Sequence, residues 1–217
     1  MKTIRRAQDR GIPILAETCP QYLFLSATDL ARTNFEGAKY CCTPPPRDPA
    51  AQQAIWRGLA NGTFQVVSSD HSAFRFDDPA GKKVAGMGAP FNKVPQGVPG
   101  IEVRLPLLFS EGVMKKRISL QQFVSLTAAA PAAIYGLAPR KWTIAIGSDA
   151  DIAIWDPARE VTIDIDALHD RMDYTPYQGM KVTGWPVTVL SRGEVVCREG
   201  EMVSTPGRGQ YLRRPSR

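Results

Sequence analysis

The stretch FQVVSSDH, from Phe64 to His71, combines an apolar run with polar residues at its end. Its first five residues, Phe64 to Ser68, form the kind of short apolar run that is typical of a fully buried strand. Ser69, Asp70 and His71 follow directly. Parallel α/β folds place functional side chains at the carboxyl ends of their strands. The stretch therefore predicts a parallel α/β fold with a site near Asp70.

The segments before this stretch alternate between helix and strand in the same way. Residues 2–10 predict a helix, Ile12 to Ala16 predict a short strand, and residues 17–20 predict a loop at its end. A second helix is predicted from Asp48 to Leu59, with Asp48 as its N-cap and a proline at the first helical position. This order of elements is typical of a parallel α/β architecture.

The chain after His71 changes character twice. Residues 74–99 are rich in Gly, Pro and Lys and lack periodicity, which predicts a long loop of functional importance. Helices are predicted at 101–112, 119–126 and 128–135. After Gly136, short apolar runs separated by Gly, Asp and Pro predict a small β layer. Its predicted strands are 143–145, 152–155, a strand at 182, 187–190 and 195–197. We expect an α/β part at 1–138, a β part at 139–200 and a basic tail at 201–217.

Composition excludes some classes of protein and leaves others open. The chain has 217 residues, 43% of them hydrophobic, which supports a packed core. The stretches of apolar residues are too short for a membrane span, so no membrane association is expected. The net charge of +6 would suit nucleic acid, but the basic residues are scattered outside the tail. We favour a solvated surface, and we expect no nucleic-acid partner. None of the four cysteines forms a CxxC pair, which favours reduced thiols in a cytoplasmic protein.

Several segments are similar to one known family in order and approximate spacing. They are ETCPQYL (17–23), TPPPR (43–47), SDH (69–71), FNKVPQGVPGIEVR (91–104), GSDADI (147–152) and YTPYQGMKVTGWPVTV (174–189). Together they resemble the dihydropyrimidinase/D-hydantoinase family of cyclic amidases, and the resemblance covers nearly the whole chain. Gln21 favours this branch, because related allantoinases and dihydroorotases usually carry His at that position.

The resemblance implies both a fold and an activity. It implies a TIM-type (β/α) barrel, of which this chain would supply the last strands, followed by a small β-sandwich layer. It also implies a zinc-dependent hydrolase in which metal-bound hydroxide opens cyclic amides or ureides such as dihydropyrimidines and hydantoins. A small cyclic amide or imide substrate, a homo-oligomer (dimer or tetramer) and a place in pyrimidine catabolism follow from the same resemblance.

Three site residues are carried over from the family. Asp70 matches an aspartate that serves both as a metal ligand and as the catalytic acid and base. Thr43 stands where the family has a substrate-binding serine, and Gln96 stands where an asparagine is common and its backbone binds the imide. Without the resemblance, Asp70 would be interpreted as a helix N-cap or turn residue, Thr43 as an extended residue before proline and Gln96 as an exposed loop residue. His71 is interpreted as a structural residue or one that supports a metal ligand, and His169 as a surface or interface residue.

Most of the family's metal ligands have no counterpart in this sequence. An HxH pair, a carboxylated lysine and two further histidines precede the ETCPQYL segment in the family, whereas residues 1–16 contain no histidine. We therefore expect this chain to be a C-terminal portion that is inactive by itself. The alternative is a non-catalytic dihydropyrimidinase-like protein that serves in assembly or interaction, because a fold can be kept after its chemistry is lost.

Overall fold

Short helices surround a pair of parallel strands in the first part of the chain. The computed structural model describes residues 1–214, and residues 215–217 of the predicted basic tail lie outside the described residues. The helices here are α1 (Lys2–Asp9), α2 (Pro20–Phe24), α3 (Ala27–Leu30), a 3₁₀ turn (Glu36–Tyr40) and α4 (Pro49–Ala60), and the strands are β1 (Glu17–Thr18) and β2 (Val66–Val67).

The two strands run parallel, as the alternation of elements predicts. Glu17 pairs with Val66, and Thr18 pairs with Val67. A parallel bridge between His71 and Val98 continues this pattern further along the chain. Parallel neighbours bring their carboxyl ends to the same edge, so the loops after β1 and β2 lie close together.

The predicted strand at Ile12 to Ala16 is wrong, because pairing begins only at the end of that segment. Pro13 has no N–H to donate, and the N–H groups of Ile12 and Ile14 bond locally, to Ala7 O and Ile12 O. The Leu15 side chain remains 59% exposed. The apolar run therefore leads into strand β1 without being part of it.

Helix α4 begins where its sequence predicts. The Asp48 carboxylate accepts a hydrogen bond from Ala51 N at 2.8 Å, and Pro49 occupies the first helical position. The helix ends at Ala60, followed by Gly62 with φ 76°. Local side-chain chemistry alone determines these ends.

The three helices predicted between 101 and 135 are two continuous helical runs. Helix α5 (Arg104–Leu108) passes into a π-helical turn (Phe109–Met114), and α6 (Leu120–Val124) passes through a second π turn (Ser125–Ala129) into α7 (Ala130–Ile134). A π turn shifts the hydrogen-bond register by one residue. The apolar spacing is therefore interrupted at 126–128 although the chain stays helical.

The later part of the chain forms an antiparallel sheet. Its strands, in the order in which they pair, are β3 (Ile152–Thr162), β4 (Lys181–Ser191), β5 (Glu194–Arg198) and β6 (Glu201–Met202). The predicted strands at 182 and 187–190 are one strand, β4. The predicted strand at 143–145 is wrong. Ile144 there is 86% exposed, and the surrounding loop is held by Arg140 and Lys141 paired with Asp149.

The sheet packs directly on the helices and shares their core. Val182 of β4 lies in one cluster with Val103 and Leu107, and Trp155 of β3 stacks on Phe109 with ring centroids 4.7 Å apart. The two sequence regions therefore share their hydrophobic clusters, and their division into domains at about residue 138 stays a prediction.

One glycine makes this close packing possible. Gly184 of β4 has φ 93°, and a Cβ atom built there would lie 2.3 Å from the ring of Phe109. Any side chain at this position would meet both a strained backbone and an occupied space.

Candidate functional site

Asp70 lies just beyond the carboxyl end of β2, three residues after Val67. Its φ of 47° places it in the left-handed region, which is uncommon for residues other than glycine. The next residue, His71, forms the parallel bridge to Val98, and Ser72 N donates to Val98 O at 3.3 Å. The backbone immediately after Asp70 is therefore fixed by its pairing with Val98, and this pairing restricts the position of Asp70.

Gln21 holds the Asp70 carboxylate. Its Nε2 donates to Asp70 Oδ2 at 2.8 Å, and the Gln21 side chain is fully buried in the first turn of α2, just past β1. Within residues 1–214, Gln21 Oε1 has no hydrogen-bond partner although it is buried. In the sequence, Gln21 distinguishes branches of the family but does not indicate this contact. Its place in the first turn of a helix that follows a strand is the one local signal of a site residue.

Thr43 and Gln96 are brought into direct contact. Thr43 Oγ1 donates to Gln96 Oε1 at 3.2 Å. The Gln96 amide nitrogen donates to Val94 O at 2.8 Å and to Phe91 O at 3.0 Å, so the side chain braces its own loop. Behind this pair, Gly97 N donates to Cys41 O at 2.9 Å. Two loops far apart in sequence therefore meet at the two predicted substrate-binding residues.

These two loops form part of the wall of a cavity of about 570 Å³. The lining is mainly apolar, and Thr43 and Gln96 supply polar groups at one side. Other lining residues include Leu30, Phe35, Ala38, Cys41, Phe91 and Val94. A cavity of this size and character is suitable for a small organic molecule.

Lys82 connects the Thr43 loop and the Gln96 loop by hydrogen bonds to their backbones. It is 1% exposed, and its Nζ donates to Cys41 O at 3.0 Å, Pro95 O at 2.7 Å and Gly97 O at 2.7 Å. Burial lowers the pKa of Lys82 from 10.5 to about 8. The sequence does not predict this role for Lys82, because a lysine in a glycine-rich loop carries no signal of burial.

Two thiols lie near Asp70 and are neutral at physiological pH. Burial raises the pKa of Cys19 from 9.0 to about 11, and the charge of Asp70 adds to the increase. Burial also raises the pKa of Cys42 to about 12, with a further contribution from Asp70. The Gln96 loop, which bonds to Thr43, lies beside the segment after Asp70, because Val98 forms a parallel bridge with His71.

The two histidines have structural contacts. His71 Nδ1 accepts hydrogen bonds from Gly100 N at 3.2 Å and Ile101 N at 3.3 Å, so this nitrogen braces the following loop. His169 Nδ1 lies 2.7 Å from Glu102 Oε1, and this bond raises the pKa of His169 above its ordinary value. Both placements agree with the interpretation of the sequence.

Within residues 1–214, no group of three or more His, Cys, Asp or Glu side chains is arranged to hold a metal ion. In the same part of the chain, no helix has both the length and the apolar composition that crossing a membrane requires. The four cysteines are free thiols.

Comparison with known proteins gives a consistent result. Residues 21–196 match the amidohydrolase family. The chain is 48% identical over 211 residues to a D-hydantoinase of Rhizobium radiobacter, covering 97% of this chain and 45% of that protein. A crystal structure of a D-hydantoinase superposes with a TM-score of 0.94 at 47% identity, covering 99% of this chain and 46% of the other. A dihydropyrimidinase from Brevibacillus agri superposes with a TM-score of 0.93 at 45% identity, covering 98% and 45%.

The chain thus spans about half the length of the proteins it matches. The similarity confirms the resemblance drawn from the sequence motifs. It extends over helices, loops and sheet alike, since 98% to 99% of this chain is superposed in these two structures.

Proposed function

Because this chain belongs to the amidohydrolase family, we propose that it supplies part of the active site of an enzyme that hydrolyses cyclic amides and ureides. The observation that supports this proposal is that the Gln96 loop, which bonds to Thr43, runs beside the segment that follows Asp70 through the bridge between His71 and Val98. Dihydropyrimidines and hydantoins are the proposed substrate class, since the similar proteins are a D-hydantoinase and a dihydropyrimidinase.

Each residue has a proposed task. Thr43 Oγ and the backbone around Gln96 receive the polar edge of the ring, beside the mainly apolar cavity. The Asp70 carboxylate takes a proton from the attacking water and delivers it to the ring nitrogen that leaves. Gln21 fixes the carboxylate by holding Oδ2, which leaves Oδ1 for the proton transfer.

The zinc ions implied by the family do not fit residues 1–214 on their own. A catalytic zinc site generally needs three protein ligands. Asp70 is the one ligand carried over to this chain, and the neighbours described for it are the amide of Gln21, the phenol of Tyr22 and the neutral thiols of Cys19 and Cys42. Zinc dependence is therefore proposed only for an assembly that adds ligands to Asp70.

The remaining proposals concern architecture and setting. We propose that the helices and parallel strands of 1–138 are the last part of a TIM-type barrel. Residues 139–200 would then contribute to a β-sandwich, and residues 201–217 would form a basic tail. A homo-oligomer, a cytoplasmic location and a role in pyrimidine catabolism are proposed on the family resemblance.

A graft tests the proposed activity against the non-catalytic alternative. This chain would replace the matching 45% of the Rhizobium radiobacter D-hydantoinase, and ring opening of dihydrouracil and hydantoin would be followed by ultraviolet absorbance. We expect zinc binding and turnover in the graft. A graft that folds, as judged by circular dichroism and gel filtration, and binds zinc but opens neither ring would contradict the proposal and favour an interaction protein.

A further inference from the structure

We propose that Lys82 is a positioning residue, which holds the Thr43 loop, the Gln96 loop and the Asp70 segment in the arrangement that receives a cyclic-amide ring. This inference rests on the proposed function. It assigns a role to a buried side chain that neither the sequence motifs nor the chemistry of the site accounts for.

The contacts of Lys82 match the capacity of an ammonium group. Such a group has three donors and no acceptor, and Lys82 Nζ bonds to three carbonyl oxygens at 2.7 to 3.0 Å. One acceptor, Cys41 O, lies two residues before Thr43. The other two, Pro95 O and Gly97 O, lie on either side of Gln96. The substrate-binding pair is therefore fixed from both loops by a single cation.

The Gln96 loop also packs closely against the segment that follows Asp70. A Cβ atom built on Gly97 would lie 2.1 Å from Ser72 O, so the backbones approach closely there. Val98 then bridges to His71, and Val98 O accepts from Ser72 N. A displacement of residues 95–98 would consequently move the segment that carries Asp70.

Among residues 1–214, no carboxylate forms an ion pair with the charge of Lys82. The ionisable groups that influence it are the thiols of Cys41 and Cys42, and its other described contacts are the three carbonyls and the Phe74 ring, 5.8 Å from Nζ. Burying an ammonium group without a counter-ion is unfavourable. An apolar side chain would avoid this desolvation, but it would leave three carbonyl oxygens without their donor. A lysine differs from an apolar residue here by its three directed hydrogen bonds. We therefore assign Lys82 the role of fixing the positions of the two loops.

The test compares Lys82→Met with Lys83→Met. Lys83 is the matched control, because its Nζ pairs with the exposed Asp77 outside the two loops. Two quantities are measured: exchange of the Gly97 amide, which donates to Cys41 O, by NMR in the chain 1–217, and the KM for dihydrouracil with each substitution placed in the graft. We expect Lys82→Met to lower Gly97 protection and to raise the KM, each by about tenfold or more, and Lys83→Met to change either by less than twofold.

The outcomes separate this inference from the proposed function. If the wild-type graft folds and binds zinc but does not accept the ring, the proposed function of this site fails, and the positioning role fails with it. If the wild-type graft accepts the ring and Lys82→Met has the same KM, only the positioning role is overturned, whatever happens to Gly97 exchange. Unchanged Gly97 protection in Lys82→Met would also overturn it.

A measurement on the wild type covers the case in which Lys82→Met does not fold. Lys82 loses its charge between pH 7 and pH 9.5, since its pKa is about 8. Gly97 protection, corrected for the intrinsic exchange rate, should then rise severalfold, because an opening that exposes Lys82 to water restores its ordinary pKa and becomes less favourable as pH rises. Protection of the Leu107 amide, which bonds to Val103 O within a helix, should stay constant. Equal behaviour of the two amides would overturn the positioning role.

Discussion

Replacing Lys82 by Met should change how stability depends on pH. Burial lowers the pKa of Lys82 from 10.5 to about 8 in the folded chain. The unfolded chain therefore binds more protons than the folded chain between these pH values, and the free energy of unfolding rises with pH across that interval. Each unit of pKa shift corresponds to about 1.4 kcal/mol. The contribution of Lys82 should thus become more favourable by about 3 kcal/mol from pH 7.5 to pH 10.5.

The difference in unfolding free energy between wild type and Lys82→Met isolates the contribution of Lys82. Cys19 and Cys42 have raised pKa values, so their contribution is present below pH 9 and is lost as pH rises further. The charge of Lys82 lowers the pKa of Cys42, but both folded thiols stay largely protonated up to about pH 10, since their pKa values are about 11 and about 12. Their effect therefore cancels in the difference up to that pH. The assay is urea unfolding followed by the fluorescence of the core residues Trp56 and Trp155. A difference in unfolding free energy that stays constant or falls with pH would refute the reasoning.

Two further substitutions and one measurement of zinc content test other parts of the structure. Gln21→Met should reduce kcat for ring opening by about tenfold to a hundredfold in the graft, because Asp70 loses its fixing donor; an unchanged kcat would remove Gln21 from the site. Gly184→Ala should destabilise the chain by about 2 to 4 kcal/mol in urea unfolding, since it adds a clash with Phe109 to a strained backbone. Gly193→Ala, at φ 83° with open space around it, is the control, and equal losses would refute the packing argument. The isolated chain 1–217 should hold fewer than two zinc ions by elemental analysis and show no turnover, because residues 1–214 contain no group of three suitable ligands; two zinc ions with turnover would contradict this.

Features governed by neighbouring residues could be predicted from the sequence. The Asp48 cap, the end of α4 at Asn61 and Gly62, and the position of Asp70 after an apolar strand all depend on interactions within a few residues. The strand at residues 12–16 was wrong because the sequence pattern gives the polarity of a segment, whereas strand formation also needs a partner at the correct register.

The missed parts of the site depend on contacts between distant residues. Lys82 is buried because its acceptors come from Cys41, Pro95 and Gly97, up to 41 residues away. The pairing of Gln21 with Asp70 joins residues 49 positions apart. No local pattern records such separations. The family resemblance pointed to Thr43 and Gln96, and the structure adds the bond between them.

The most direct test of the central claim is the ratio of kcat values for Asp70→Asn and wild type in the graft, at saturating dihydrouracil. Asparagine keeps the size of the side chain and removes the proton acceptor. A positioned acid or base typically contributes about 10² to 10⁴ in rate, so we predict a loss of kcat of at least about a hundredfold, with Ser69→Ala close to wild type. A wild-type kcat in Asp70→Asn would contradict the assignment of this chain's carboxylate to the reaction.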